Sequence, residues 1–350
     1  MAGLQRKTIN NYLEKKIEFW SYSIKDPQAL STVVGFEWKE GKELTDEDKR
    51  KISDFQAEVR EDVIVSGGAI ASMLLGEPVN DVDIYLSNKE TARKIAQYYV
   101  NVMLQTEGIK QTFKVSKVDV RDNNTNGIAV FIKSAGVAGE GIDHDDYQYF
   151  ECSDDDNDVD DFFQEYRKTI PKEPPKHSVQ FMTSNAITLT NGIQIVLRFC
   201  GNAGEIHENF DYLHATNYWT KGYGVVYNVE ALEALLTKRL VYVGSKFPVA
   251  SLFRMRKFIK RGFTISAGEQ TKVAYDISKL NLDDRNVLRD QLIGVDYAYF
   301  SEVLSILNAK KDRNIDRTYL FQILNEVFND DEHESVTEAD DKHQRTANPD

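Results

Sequence analysis

The sequence predicts an α+β fold in which a mixed sheet is layered with helices, with helical segments before and after it. Apolar residues recur every three or four positions through the first 62 residues. Short β-branched runs then alternate with helical stretches from residue 63 to about 230, and helical patterns follow. Such an alternation is typical of a sheet with helices packed against it.

Composition limits the class of protein. The 350 residues carry a net charge of −13 and 41% hydrophobic residues, enough for a substantial core. No apolar run reaches membrane-spanning length, and the N-terminus lacks a secretory h-region. Cys152 and Cys200 have no metal-ligand spacing, so a reducing cytoplasm is predicted. The acidic total argues against a surface that tracks nucleic acid throughout, because phosphate contacts require positive charge.

The N-terminal segment, residues 1–62, reads as helical. Its first apolar stripe is Ile9, Leu13, Ile17, Trp20 and Ile24. Thr45 resembles a helix cap followed by acids in the first turn. Ile52, Phe55 and Val59 then form a second stripe at helical spacing. Core packing accounts for both stripes.

The predicted core spans residues 63–230. Its strands are Val63–Ser66, Asp81–Leu86, Phe113–Val120, Gly127–Lys133, Ser178–Thr190, Gly192–Phe199, Phe210–Trp219 and Tyr223–Tyr227. Its helices are Gly68–Leu75, Lys89–Leu104 and Val229–Lys238.

An acidic stretch interrupts this core at about 136–176. It holds Asp154-Asp155-Asp156 and Asp160-Asp161 and lacks the glycine and glutamate of a calcium-binding loop. Blocks of like charge repel and stay extended, which favours a solvated insertion over a metal-binding loop. A helical C-terminal region at 231–329 and a disordered acidic tail at 330–350 complete the predicted organisation.

The segment from Ser66 to Asp83 carries the predicted chemistry. A strand runs into Gly67 and Gly68 and then into a short helix. Glycines at this junction let the backbone approach a phosphate, and the helix N-terminus presents unpaired N–H groups. The hydroxyls of Ser66 and Ser72 are candidate additional donors.

Asp81 and Asp83 open the next predicted strand. Residues i and i+2 of a strand project from the same face, so their carboxylates lie together. Two adjacent carboxylates repel unless a cation lies between them. Mg²⁺ (or Mn²⁺) is the predicted cofactor, because hard divalent cations favour carboxylate and phosphate oxygens.

This segment resembles the signature of the DNA polymerase β-type nucleotidyltransferase superfamily, and is most similar to the head domain of CCA-adding enzymes and bacterial poly(A) polymerases. Gly67-Gly68, Leu74-Leu75-Gly76, Pro78 and Asp81-x-Asp83 match in order and spacing over about twenty residues. Two departures argue against tRNA 3′-end repair. Ala71-Ser72 replaces the motif's Arg-Asp, and the Glu-Asp-x-x-Arg base-selection motif is missing.

The resemblance implies a nucleotidyltransferase-type fold and transfer of a nucleoside monophosphate from a nucleoside triphosphate to an acceptor hydroxyl, with RNA or protein as candidate acceptors. A catalytically inactive binding or assembly module of the same fold is the alternative.

The superfamily also implies a third carboxylate on a neighbouring strand, near the acceptor hydroxyl. Asp211 is the favoured candidate, because it opens a predicted strand after the Ile193–Phe199 run. Asp119 and Glu151 are the alternatives, and only geometry decides among them. His207 and His214 flank Asp211 and are interpreted chiefly as structural.

A basic stretch at Thr237–Gly262 stands out in this acidic chain. Pro248 predicts a helix start, and Arg254, Lys257 and Arg261 then recur along one helix face. Arg254 and Lys257 are candidate nucleotide-binding residues. A solvated surface helix is an equally favoured interpretation.

Overall fold

The computed structural model describes residues 2–106, 109, 115–123, 126–134, 159–171, 174–282, 284, 287–288 and 291. It confirms the α+β class. The chain forms two compact units, Met1–Thr237 and Lys238–Asp350. The predicted tail at 330–350 lies outside the described residues, and the other predicted domain limits stay predictions.

The first unit contains most of the helices and strands that the structure describes. Its helices are α1 (Ala2–Ser23), α2 (Pro27–Val34), α3 (Asp46–Asp62), α4 (Gly68–Leu75), α5 (Lys89–Gln105), α6 (Val159–Arg167), α7 (Ala203–His207) and α8 (Val229–Leu236). Its strands are β1 (Val63–Ser66), β2 (Val82–Leu86), β3 (Val115–Asp122), β4 (Ile128–Ser134), β5 (Val179–Met182), β6 (Ala186–Leu189), β7 (Ile193–Cys200), β8 (Tyr218–Thr220) and β9 (Gly224–Val226).

Seven of these strands form one mixed sheet in the order β5-β6-β7-β2-β1-β8-β9. Strands β2 and β7 are parallel, and the other neighbours in this sheet are antiparallel. Strands β3 and β4 form a separate antiparallel pair. The parallel pairing brings β7 beside β2 although a long stretch of chain separates them.

The two faces of the seven-stranded sheet differ. One face packs into the main core with helices α1, α3 and α5, and its strand residues include Val65, Ile84 and Ile195. The other face carries Ile64 and Tyr85, which pack against helix α7. Because side chains alternate along a strand, Ser66 and Asp83 belong to this second face.

The N-terminal helices belong to the first unit. The core of this unit buries the five residues of the first predicted stripe, four of them in α1 and Ile24 just after it, together with Phe55 and Val59 of α3. Thr45 caps α3 as predicted, and Asp48 completes a capping box by accepting from the backbone N–H of Thr45.

A buried hydrogen bond fastens α1 to α5. The indole Nε1 of Trp20 donates to the Tyr99 hydroxyl at 2.8 Å, and both side chains are buried. Replacing Tyr99 with phenylalanine is expected to lower the free energy of unfolding by about 1–3 kcal/mol, because it leaves a buried donor without its acceptor. Urea unfolding measures this, with Tyr22→Phe on the exposed side of α1 as control. An equal effect of both substitutions would contradict the assignment.

Two strand predictions were wrong. The predicted strand Ser178–Thr190 is a hairpin of β5 and β6, because the Thr183 hydroxyl accepts from the backbone N–H groups of Asn185 and Ala186 and stabilises a turn. The predicted strand Phe210–Trp219 instead contains a 3₁₀ turn, Leu213–Ala215, and only its end belongs to the short strand β8. Here the Ala215 carbonyl accepts from Gly67 N–H, outside the strand ladder.

The predicted solvated insertion ends in an ordered helix. Helix α6 buries Phe162, Phe163 and Tyr166 in the main core, because these aromatic residues recur at helical spacing. The acidic run Asp154-Asp155-Asp156 lies outside the described residues.

The second unit contains β10 (Arg239–Leu240), α9 (Pro248–Lys260), β11 (Thr264–Ile265) and α10 (Ala267–Ser278). Strands β10 and β11 are parallel. Helix α9 begins at Pro248, as predicted, because the fixed φ of proline suits the first helical turn. Among the helices of the described chain, none combines the length with the apolar character needed to cross a bilayer.

Candidate functional site

The Gly-Gly turn joins the end of β1 to the start of α4. Gly67 adopts φ 93° and ψ −147°, a conformation essentially confined to glycine. Its N–H donates to the Ala215 carbonyl at 3.1 Å, which fastens the turn to the segment before β8. Gly68 begins the helix and is exposed. The turn therefore combines a fixed backbone with an accessible helix N-terminus, as phosphate binding requires.

Asp83 lies directly against this turn. A Cβ atom built on Gly67 would stand 3.1 Å from Asp83 Oδ2. The absence of a side chain at Gly67 thus makes room for a carboxylate oxygen, while the positive φ independently favours glycine. The two halves of the predicted motif meet in space, with the carboxylate beside the turn.

Asp81 is the exposed member of the pair and stands one residue before β2. It borders the turn between β6 and β7, where a Cβ on Gly192 would lie 3.6 Å from Asp81 Oδ1. The backbone N–H of Val82 donates to the Gly192 carbonyl at 2.8 Å. This bond fixes the start of β2, so it positions Asp81 just before the strand and Asp83 within it.

The neighbouring strand presents an amide beside the aspartates. Gln194 of β7 is the register partner of Asp83 of β2. Residues in register on parallel strands project from the same face, so the half-buried Gln194 belongs to the same face as Asp83. At this position of the neighbouring strand, the chain therefore carries a neutral side chain.

The carboxylates of Asp81 and Asp83 suit a divalent cation, because hard cations prefer oxygen ligands and would relieve the repulsion between the two groups. Among the described residues, no group of three or more histidine, cysteine, aspartate or glutamate side chains is placed to hold a metal ion. Mg²⁺ or Mn²⁺ at Asp81 and Asp83 remains a prediction.

Ser66 is a buried support of the turn. Its hydroxyl lies 2.8 Å from His207 Nε2 and 3.1 Å from the Asn217 carbonyl. The side chain is fully buried, and Ser72 on α4 is also buried. Roles for Ser66 and Ser72 in phosphate binding stay predictions. The observed contacts give Ser66 a structural task, which is to hold β1, α7 and β8 together.

His207 is the partner of Ser66 at the end of α7. Its ring packs edge-on against Phe210 and Tyr218, with centroids 5.0 and 5.7 Å away. Burial lowers the pKa of His207 to about 4, because the apolar surroundings disfavour the imidazolium. The ring is therefore neutral at neutral pH and forms its hydrogen bond to Ser66 uncharged.

This depressed pKa predicts acid sensitivity. The unfolded chain binds a proton at His207 below its ordinary pKa of 6.5, whereas the folded chain resists protonation down to about 4. The neutral ring contributes about 1–2 kcal/mol to the free energy of unfolding above pH 6.5, after allowance for partial exposure. This contribution is lost as the pH falls to 4.

His207→Gln keeps a donor near the Nε2 position but does not titrate. The difference in unfolding free energy between wild type and His207→Gln is expected to shrink by that amount between pH 7 and pH 4. Urea unfolding at several pH values measures it. A difference that stays constant with pH would contradict the assignment.

The candidates for a third carboxylate are dispersed. Asp211 is buried next to the 3₁₀ turn, and His214 within that turn is buried as well. Asp119 lies on β3, outside the seven-stranded sheet, and Glu151 lies outside the described residues. The role of Asp211 at the acceptor stays a prediction.

The two predicted nucleotide-binding residues of the basic stretch lie on α9 of the second unit. Arg254 is half-buried and Lys257 is exposed. Their role in nucleotide binding also stays a prediction.

Sequence reasoning missed Gln194 and also a lysine of the N-terminal helix. Lys16 Nζ donates to the Asn191 carbonyl at 2.9 Å, in the β6–β7 turn beside Gly192. The two residues are 175 positions apart, and no local pattern signals their contact.

The fold and the site together define an α+β protein in which the glycine turn after β1 lies against Asp83 of the neighbouring strand β2. The chain belongs to the Gabija anti-defense 2 (Gad2) family, whose model matches residues 41–238. These residues include the complete Gly-Gly and Asp-x-Asp site. A search of curated proteins gave no match.

Solved structures with partial likeness include two CCA-adding enzymes. The enzyme of Thermotoga maritima complexed with tRNA is 13% identical, with 81% of this chain and 54% of that chain covered and a TM-score of 0.33. The enzyme of Bacillus stearothermophilus in complex with CTP is 13% identical, with coverage of 69% and 47% and a TM-score of 0.29. The chain spans about half the length of these proteins.

Proposed function

We propose that this protein is a metal-dependent nucleotidyltransferase that moves a nucleoside monophosphate from a nucleoside triphosphate to an acceptor hydroxyl. The observation that carries the proposal is the contact between Gly67 and Asp83. A turn suited to phosphate and a carboxylate suited to a cation share one corner of the sheet, with a carboxylate oxygen 3.1 Å from the position of a glycine Cβ.

The residues have distinct tasks in this proposal. The backbone at Gly67 and Gly68 binds phosphate oxygens, aided by the N-terminus of α4. Asp81 and Asp83 hold Mg²⁺ or Mn²⁺, which supplies positive charge to the triphosphate. The acceptor oxygen forms a bond to the α-phosphorus while the bond to the bridging oxygen breaks, so pyrophosphate leaves and the hydroxyl proton passes to a base. Asp211 is the candidate base.

The family description, Gabija anti-defense, supports a role for this activity against the Gabija defence. We propose that transfer of a nucleotide to a component of that defence, either protein or RNA, alters the component and blocks it. A protein acceptor is the first to test, because a net charge of −13 disfavours extensive contact with nucleic acid.

A second candidate function is a binding module that retains the fold without turnover. Gln194 favours it, because the register partner of Asp83 on the strand beside β2 is an amide, whereas the resemblance implies a third carboxylate on a neighbouring strand. In that case the site binds nucleotide and cation but transfers nothing.

Transfer of label from each of four α-labelled nucleoside triphosphates separates these functions. The protein is incubated with Mg²⁺ or Mn²⁺ and with either mixed RNA or proteins from cells that carry the Gabija defence. Label that moves to one acceptor class in wild type and not in Asp83→Asn supports the enzyme. Saturable nucleotide binding without transfer supports the binding module, and no binding with either metal overturns both.

A further inference from the structure

We propose that Lys16 is a phosphate-binding residue of this site, which helix α1 brings near Asp81 to contact the triphosphate. The inference rests on the proposed nucleotide-binding function and identifies a ligand contact from a residue outside the motif. Lys16 precedes residues 41–238, which the family model matches.

The position of Lys16 is fixed by its helix. Leu13, Ile17 and Trp20 of the same helix are buried in the core with 2% exposure or less, so the backbone of α1 at this point is firmly held. Near the N-terminus of α1, the side chain of Gln5 donates to the Leu74 carbonyl at the end of α4, at 2.9 Å. Helix α1 therefore packs against α4, the helix that follows the Gly-Gly turn, and also against strand β9 of the sheet.

The ammonium of Lys16 lies near Asp81, the exposed member of the aspartate pair. Its Nζ donates to the Asn191 carbonyl at 2.9 Å, and the next residue, Gly192, borders Asp81. The Asp81 carboxylate acts on Lys16 electrostatically and opposes the effect of burial, which lowers the pKa of the lysine. The Tyr12 ring lies 5.8 Å from Nζ and covers it from one side.

A lysine ammonium has three donors. Within the described parts of the chain, Asn191 accounts for one of them. The half-buried side chain thus presents a cation with hydrogen-bonding capacity next to the place where a nucleotide is proposed to bind.

Charge balance favours a phosphate over a second metal ion as the group that Lys16 meets. Asp81 and Asp83 together cancel the charge of one divalent cation. The site would then have no surplus positive charge for a triphosphate without a further cation. Lys16 supplies that charge, and lysine is a common phosphate ligand in proteins.

The test measures affinity in the full-length protein. Dissociation constants of ATP, CTP and the corresponding monophosphates are determined with Mg²⁺ by calorimetry, for wild type, Lys16→Gln, Lys16→Met and Lys16→Arg. Lys15→Gln is the matched control, because this exposed neighbour has the same charge and helix. Thermal unfolding checks each variant, and Lys16→Met keeps the aliphatic stem if glutamine disturbs the packing.

Both neutral variants are expected to weaken triphosphate binding at least about tenfold and monophosphate binding less, with Lys16→Arg and Lys15→Gln close to wild type. Mn²⁺ affinity without nucleotide, measured by electron paramagnetic resonance, should not fall. If wild type binds triphosphate and the neutral variants bind it equally or more tightly, Lys16 is only a counter-ion of Asp81. That result overturns the role of Lys16 and leaves the proposed function standing. If wild type binds no triphosphate, the proposed function fails with it.

Discussion

Replacing Asp83 with asparagine is expected to lower nucleotidyl transfer by about 10²–10³-fold. Asparagine preserves the shape of the side chain against Gly67 but removes the negative charge that holds the cation. Metal-dependent nucleotide binding should weaken in parallel. Initial rates of label transfer and calorimetry with Mg²⁺ measure the two effects.

Stability gives an independent check on this substitution. Asp81 and Asp83 repel each other without a cation, so Asp83→Asn is not expected to lower the melting temperature. Asp54→Asn, on the exposed surface of α3, is the matched control and should leave transfer unchanged. Full transfer activity in Asp83→Asn would remove Asp83 from the site.

Replacing Gly67 with alanine is expected to damage both the fold and the site. The native φ of 93° and ψ of −147° disfavour any residue with a Cβ, which costs about 1–3 kcal/mol of stability. The new methyl group would also meet Asp83 Oδ2 at 3.1 Å, so the carboxylate has to move. We expect a lower free energy of unfolding in urea and a loss of Mg²⁺-dependent nucleotide binding of about tenfold or more.

Gly68→Ala is the control for this change. A Cβ on Gly68 would meet no other atom within 4 Å, and its φ lies outside the left-handed region. Alanine also favours the helix more than glycine does, so stability should hold or rise slightly. If Gly68→Ala nevertheless weakens nucleotide binding, a phosphate approaches this backbone closely. If Gly67→Ala is as stable as Gly68→Ala, the strain assigned to Gly67 is wrong.

Local sequence patterns predicted helices and strands correctly where contacts between residues close along the chain determine them. The helix Gly68–Leu75 has the predicted bounds, and β2 begins one residue after the predicted start. The cap at Thr45 and the start of α9 at Pro248 also follow from short-range chemistry. The same reasoning placed a strand across Phe210–Trp219, where short-range hydrogen bonds form a 3₁₀ turn and the Ala215 carbonyl accepts from the distant N–H of Gly67.

By itself, the sequence determined the α+β class, the Gly-Gly turn between β1 and α4, and the two aspartates at the start of β2, because these depend on periodicity and backbone preference within about twenty residues. Only the tertiary structure decided which strand lies beside β2, and therefore that Gln194 accompanies Asp83. It also decided that His207 holds Ser66 and that Lys16 reaches the Asn191 turn, across 141 and 175 residues. Such contacts depend on the order of strands in the sheet and the packing of α1 against the core, and no local pattern encodes either.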